Sequence, residues 1–325
     1  MKLEQGHFVI SLDFELYWGI FDVRTIESYK KNLKKVSEVV PRLLQLSDQY
    51  NIKLTFATVG FLLANTKEEL RQYIPKKKPS YTNANFSPYR LIDSIGNNET
   101  EDPYHYATSL ITQIKQNGNH EIGSHTFCHY FCNEVGQTAE EFEADLLANI
   151  EIAKKHGIAI KSIVFPRNQI NQNYLKICAK HGVLSYRGTE NHWMYNTENT
   201  KKLGKTKNRI YRLLDAYLNI SGHNTHIPEM QHGVVNIASS RFLRSYSTKL
   251  RFLENLKIQR IKRGMTFAAK HKQVYHLWWH PHNFGSNTEE NFKALETLFI
   301  HYNALKNTYN FQCKTMKELA ENCTS

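Results

Sequence analysis

Few of the 325 residues are of the kinds that mark an unusual architecture. Five scattered cysteines cannot make the dense disulfide framework of a small secreted domain. With only 15 Gly and 8 Pro against 18 Tyr and 17 Phe, the chain is neither collagen-like nor a disordered tract. No stretch approaches the ~18 consecutive apolar residues of a membrane span, since the longest candidate, residues 54–64, is interrupted by Thr and Gly. The first residues, MKLEQGHFVIS, lack the apolar core and cleavage site of a signal peptide, so a cytoplasmic location is expected. Acidic residues are scarce as well. The balance of 42 Lys+Arg against 30 Asp+Glu gives a formal charge of +12, which favours nucleotide-sugars, acidic glycans, an anionic membrane surface or nucleic acid.

What is present is 41% apolar residues in alternating blocks. His7 to Leu16 reads as a strand, and Tyr29 to Tyr50 has the apolar spacing of a helix. Strand candidates recur at 53–61, at HEIGSH, at 161–165, 183–187, 273–279 and 311–314. Helices are expected at 107–117 (stopped by Gly118), at 138–156 (opened by a Thr138/Glu141 capping box), at 173–181, as a long basic helix over 240–263, at 289–308 and from Thr315. Nearly continuous apolar strands followed by helices predict an α/β protein with a parallel sheet, barrel or open. The length fits one such barrel of ~250 residues or more. Residues 75–102 and 190–239 are the least regular and are expected to be insertions or substrate-facing loops.

Chemistry-bearing residues cluster at strand ends. Asp13 and Glu15, two apart in SLDFE, fall on one face of a strand. Buried carboxylates need counter-charge, hydrogen bonds or a metal, and structural ion pairing is the plainer alternative. His125 and His129 stand four apart in HTFCH, and on a helix both imidazoles would reach one metal. Cys128 and Cys132 fall on the same stripe, but four side chains over two turns cannot converge tetrahedrally, so two His plus a ligand from elsewhere fit better, unless the pair is merely packed. His280 and His282 follow the aromatic strand HLWW, where α/β proteins place active sites; the bland case is a solvated strand end. Arg167, in FPRNQ after a buried strand, suits orientation of a carboxylate or binding of phosphate, or is simply a loop residue.

In this order, SLDFE, SHTFCH, FPRNQ and LWWHPH resemble the motifs of the polysaccharide deacetylase family, carbohydrate esterase family 4 or the NodB homology domain, over roughly residues 7 to 285. The resemblance implies a single-domain, distorted (β/α)7 barrel and a divalent metal, Zn²⁺ first, with Co²⁺ or Ni²⁺ as substitutes. It implies Glu15, His125 and His129 as ligands, Asp13 as base, Arg167 as the residue orienting that base, and His280 as acid. The implied activity is removal of an N-acetyl or other N-acyl group from a sugar in glycan, O-antigen or capsule biosynthesis. His282 is the fallback acid. Tyr17, Trp18, Tyr130, Trp279 and His282 are candidate substrate contacts, with a backbone N–H near Tyr130 as oxyanion donor. Three departures from the family stand out: the spaced D-x-E pair, the order Pro then Arg in FPRN, and an Asp/Trp motif for which Asp215 or Trp193 would have to substitute.

Two other classes compete. Asp13 and Glu15 are spaced compatibly with a glycoside hydrolase pair, which leaves the histidines without a task. A catalytically silent glycan binder or a basic nucleic-acid binder would use the positive charge, with residues 241–263 as its best segment. The expected partner is an N-acylated sugar, nucleotide-sugar or glycan, with no specific nucleic acid and with peripheral contact to an anionic membrane as a secondary expectation.

Overall fold

The structure, a computed structural model, describes residues 3–195 and 206–324. Its logic is set by the first strand, β1 (His7–Phe14), whose eight residues are all buried. Phe8, Ile10, Leu12 and Phe14 join the large apolar cluster under the surrounding helices. Val9 belongs to a second, smaller cluster with Ala57, Val164, Val235, Ile237 and Val274. Ser11 and Asp13 share the face of Val9 by the period of two. A strand with no solvent face needs cover on both sides, and a curled sheet inside a helical shell supplies it.

Among the described residues, nine of the ten strands lie in one order: β6 (Glu229–Gln231), β7 (Val234–Asn236), β5 (Ser185–Tyr186), β4 (Ser162–Ile163), β3 (Glu121–Ser124), β2 (Thr55–Thr58), β1, β9 (Val274–Trp279) and β8 (Arg241–Phe242). The tenth, β10 (Gln312–Cys313), pairs with the start of β1, and only the β6–β7 pair is antiparallel. The ring is completed by residues 234–243. Val235, Ile237 and Ser239 donate to carbonyls of residues 184, 186 and 188, next to β5, and then Ser240 and Leu243 donate to His276 and Trp278 of β9. Strands β1 to β5, this stretch and β9 thus form a distorted seven-stranded α/β barrel. Met316, Leu319 and Ala320 of the last helix, Met316–Thr324, enter the inner cluster and plug the end where the strands begin. The opposite rim stays open.

Local signals account for the helical layer. Thr138 and Glu141 form the capping box that opens Ala139–Lys155, and Gly118, at φ +75°, ends Thr108–Asn117. Tertiary context changes three expectations. The helix expected over 29–50 is two, Ile26–Lys34 and Val36–Gln49. Residues 240–263 are not one basic helix but β8, an irregular 3-10 stretch (Thr248–Leu253) and the start of the helix Glu254–His271. Its cations are divided: Arg241, Lys257 and Arg260 are buried, while Lys249, Arg251 and Arg263 are exposed. Within 190–239, residues 196–205 lie outside the described residues; the rest holds the helix Thr206–Asp215 and the hairpin β6–β7, so part of this range belongs to the sheet. Residues 75–102 contribute two 3-10 turns and no sheet strand. No described helix is long and apolar enough to cross a membrane.

Candidate active site

Asp13 ends β1, and Glu15 follows it into the open rim; both are buried. His125 and His129 reach the same point from the loop after β3, but not from a helix. The segment is a tight turn in which Thr126 and His129 take φ values of +62° and +60°, conformations that cost energy for residues with a side chain. Several hydrogen bonds hold it. Asp145 accepts from the Phe127 and Cys128 N–H groups at 2.7 and 3.1 Å, Asn149 donates to the Thr126 carbonyl, and Thr126 Oγ1 accepts from Tyr130 N–H. That last bond occupies the backbone donor expected to serve as an oxyanion contact. Burial lifts the Asp145 carboxyl to about 6 despite its N–H donors.

Ligand atoms of Glu15, His125 and His129 all lie within 4.8 Å of one another. Glu15 Oε2 is 3.3 Å from His125 Nε2 and 3.2 Å from His129 Nε2. His125 Nδ1 meets the Val164 carbonyl at 2.8 Å, an arrangement that directs the lone pair of Nε2 into the cluster. Burial favours the neutral form of His129, and Glu15 only partly opposes it. Burial acts against the ionised Glu15, yet the charge of His280 and the hydrogen bonds from His125 and His129 outweigh it and hold the carboxyl well below its ordinary range. Two imidazoles and one carboxylate, all buried, are a donor set suited to a catalytic divalent ion with open positions. Gly19 leaves room for the Glu15 carboxyl, since a Cβ there would sit 1.9 Å from its carbon.

The partner of Asp13 is not the expected one. Arg167 Nη2 donates to both oxygens of Asp22, at 2.7 and 2.5 Å. Arg187, which follows β5 and is fully buried, donates from Nη1 to Asp13 Oδ1 at 2.6 Å and from Nη2 to Oδ2 at 2.9 Å. It also reaches Ser11 and Asn168, and lies 4.1 Å over the Trp278 ring. Below it the buried His276 contacts Ser11 Oγ at 2.9 Å and the Ile237 carbonyl at 3.0 Å. Burial and then the Arg187 charge drive its pKa well below the usual value, so it is neutral. Asp13 is ionised, the burial that opposes its charge being overcome by Arg187 and His125. The signal for Arg187 was a cation closing an apolar strand, the same signal that singled out Asp13.

His280 stands at the open side, with Nε2 3.4 Å from Glu15 Oε1 and 3.7 Å from Asp13 Oδ2. His282 is buried and stacks on it at 5.0 Å; burial and then the His280 charge push its pKa down to about 3. These groups face a cavity of about 270 Å³ whose aromatic walls are Tyr195, Phe242 and Trp278. The expected aromatic contacts lie elsewhere. Trp279 is one residue out of phase with Trp278, points to the other face of β9 and packs on Phe284. Trp18 is buried with its indole N–H on the His105 carbonyl, and Tyr130 is buried with its hydroxyl on Gln137. Tyr17 donates to the Arg24 carbonyl, and neither it nor His282 lines the cavity. Asp215 is a buried anchor between Arg241 and Arg260, and Trp193 lines a neighbouring polar groove of about 900 Å³.

A family model described as polysaccharide deacetylase matches residues 21–186. Among solved structures, one of a Mycobacterium smegmatis protein classed as a polysaccharide deacetylase aligns with TM-score 0.61 at 14% identity, covering 98% of this chain and 91% of that one. A Pseudomonas aeruginosa PAO1 protein of the same class aligns at 0.55 and 12% identity, over 97% and 89%. The α-amylase AmyC of Thermotoga maritima aligns at 0.56 and 12% identity, over 98% and 74%. At such identities the likeness is one of fold. No protein of curated function matches the sequence.

Proposed function

Because the chain belongs to the polysaccharide deacetylase family, we propose that it is a metal-dependent hydrolase that removes an N-acetyl or other N-acyl group from a sugar. One observation carries this reading: Glu15, His125, His129, the ionised Asp13 and His280 converge on a single cavity at the open barrel rim. Glu15, His125 and His129 would hold the metal, Zn²⁺ by the donor set, with Co²⁺ or Ni²⁺ as substitutes. When bound, such an ion polarises an amide carbonyl and acidifies water. Asp13, kept charged by Arg187, is placed to take a proton from the attacking water. His280, on the solvent side, is placed to donate one to the departing amine. Trp278, Phe242 and Tyr195 would wall the sugar. Arg187 positions Asp13, and Arg167 does so only indirectly, through the loop it anchors to Asp22.

The carboxylate-pair hydrolase is the weaker reading. Such an enzyme needs one carboxyl protonated near neutral pH, whereas both Asp13 and Glu15 are pulled below their ordinary values. Biosynthetic use inside the cell and membrane contact remain parts of the proposal, the exposed cations of residues 241–263 for the latter being Lys249, Arg251 and Arg263. The test is metal content by mass spectrometry of the wild type and of His125→Ala/His129→Ala, with acetate release from N-acetylated sugars assayed on the same samples. About one zinc per chain, lost with activity in the double variant, is expected. A wild type that takes up no Zn²⁺, Co²⁺ or Ni²⁺ and stays inert would overturn the reading.

A further inference from the structure

The cavity has two unlike sides. Opposite the carboxylates and histidines it is lined by Arg212, Arg241 and Arg244, around an apolar patch of Ala216, Phe242 and Trp278. Among the described residues, Arg241 and Arg244 on that side are not matched one for one by carboxylates. Asp215, fully buried just behind it, takes hydrogen bonds from both Arg241 and Arg260, so two guanidinium groups share one carboxylate. Arg244 is half-buried, and among the described residues its guanidinium meets no hydrogen-bond acceptor and no carboxylate. Burial pulls its pKa down, and the charges of Arg209 and Arg241 add to the strain. Glu190 is the nearby acid that lines the cavity, but burial raises its pKa, and among the described residues its Oε1 has no hydrogen-bond partner. An arginine held half-buried beside other cations is costly unless an anion completes it.

We propose that the substrate sugar carries an anionic group, phosphate or carboxylate, that seats on Arg244 with Arg212 and Arg241 while the N-acyl group faces Glu15, His125 and His129. The proposal rests on the deacylase reading for the second half of this statement. Guanidinium groups suit such an anion because their N–H forks match its oxygens in pairs. The cavity, about 270 Å³, is no larger than the small end of the ~300–1,000 Å³ range of ligand sites. Anion and amide therefore belong to one sugar residue and its immediate substituent. Glu190 and Asn168 also line the adjoining polar groove, so whatever lies beyond the anion has a path along Thr189, Asn191 and Trp193.

The test is calorimetric binding to metal-free wild type and to Arg244→Met of three probes: N-acetylglucosamine 1-phosphate, N-acetylglucosaminuronic acid and methyl N-acetylglucosaminide. At least one anionic probe is expected to bind the wild type about tenfold or more tighter than the neutral one, as charge-assisted hydrogen bonds require. The better of the two identifies phosphate or carboxylate as the source. Arg244→Met should lose that advantage while keeping its melting temperature. Equal affinity of all three probes, no binding of either anion, or an advantage that survives Arg244→Met overturns the proposal. Because no metal or turnover enters, an anion preference without any acetate release after zinc loading would sink the deacylase reading and leave the anion site standing.

Discussion

Replacing Arg187 by methionine should be among the most damaging single changes in the barrel interior. Its guanidinium is fully buried and makes two bonds to Asp13, one to Ser11 and one to Asn168. Methionine keeps most of the packing on Trp278 but leaves a buried carboxylate without its counter-charge, a change that costs ~3–5 kcal/mol. That is a large share of a total stability of ~5–15 kcal/mol, yet small enough to leave a folded population. Asp13→Asn should be costly for the mirror-image reason. The double variant Arg187→Met/Asp13→Asn removes both charges, so its loss should fall short of the sum by an amount near the top of the ~0.5–3 kcal/mol range of coupled neighbours. Urea unfolding of the metal-free proteins at pH 7 measures all three. Arg167→Met serves as the control, because Arg167 is bonded to Asp22 and should combine with Asp13→Asn additively to within ~0.5 kcal/mol. Additive losses for the Arg187 pair, or coupling that appears with Arg167 instead, would refute the assignment of Arg187 as the group that positions Asp13.

Two further outcomes follow from the geometry. Gly19→Ala places a Cβ 1.9 Å from the Glu15 carboxyl carbon, so Glu15 must leave its position beside His125 and His129; zinc affinity measured against a competing chelator should fall ~10–100-fold, and unchanged affinity would show that Glu15 is no ligand. Acid should destabilise the fold: burial holds His7 and His120 at about 4, against 6.5 unfolded. The unfolded chain thus binds their protons first, and the stability they supply above pH 6.5 is lost as pH falls toward 4. Each contributes a loss of ~2 kcal/mol between pH 7 and 5, and Asp145, raised to about 6, returns ~1 kcal/mol over the same window. These three groups together give a fall of ~3 kcal/mol, and His226, held by burial at about 4, and His282, at about 3, act in the same direction, so a fall of at least that size in urea-derived stability is expected; a flat profile would contradict the buried, neutral histidines.

The sequence disclosed those features that depend on local pattern. Strands buried on both faces read as largely apolar runs, which is why β1 and β9 are legible nearly residue for residue, and the Thr138 capping box and Gly118 stop carry their own chemistry. Asp13, Glu15, His125, His129 and His280 were visible because polar groups that end apolar strands need a reason to be there. Partner choice was not visible. Arg167 and Arg187 both follow buried strands, and only the three-dimensional path of the β4–β5 edge decides which faces Asp13. Trp278 and Trp279 are adjacent in sequence and opposite in space, so choosing between them requires the strand's phase. Residues 241–263 misled for a related reason. An arginine paired with a distant buried aspartate, as Arg241 and Arg260 are with Asp215, has the same local pattern as one on a solvated helix face.

The displaced arginine explains why the FPRN segment departs from the family pattern without losing its place at the site. Arg167 and Asn168 both adopt left-handed backbone, at φ +55° and +53°. That turn aims consecutive side chains in different directions. Arg167 lines the cavity and bonds to Asp22, lying over the Phe131 ring at 4.3 Å and bracing the wall beside His129. Asn168 goes inward, and its Oδ1 accepts from Arg187 Nη2 at 2.8 Å. The loop after β4 therefore still acts on Asp13, but through an amide that orients the arginine of the next strand. A neutral acceptor at residue 168 leaves the Arg187 charge undivided for Asp13, which is the condition for keeping a fully buried carboxylate ionised. A carboxylate at 168 would compete for the same guanidinium and release Asp13 toward its protonated form. The order Pro-Arg-Asn is thus consistent with an ionised Asp13 held from two strands, with the arginine supplied after β5 and its orientation by the loop after β4.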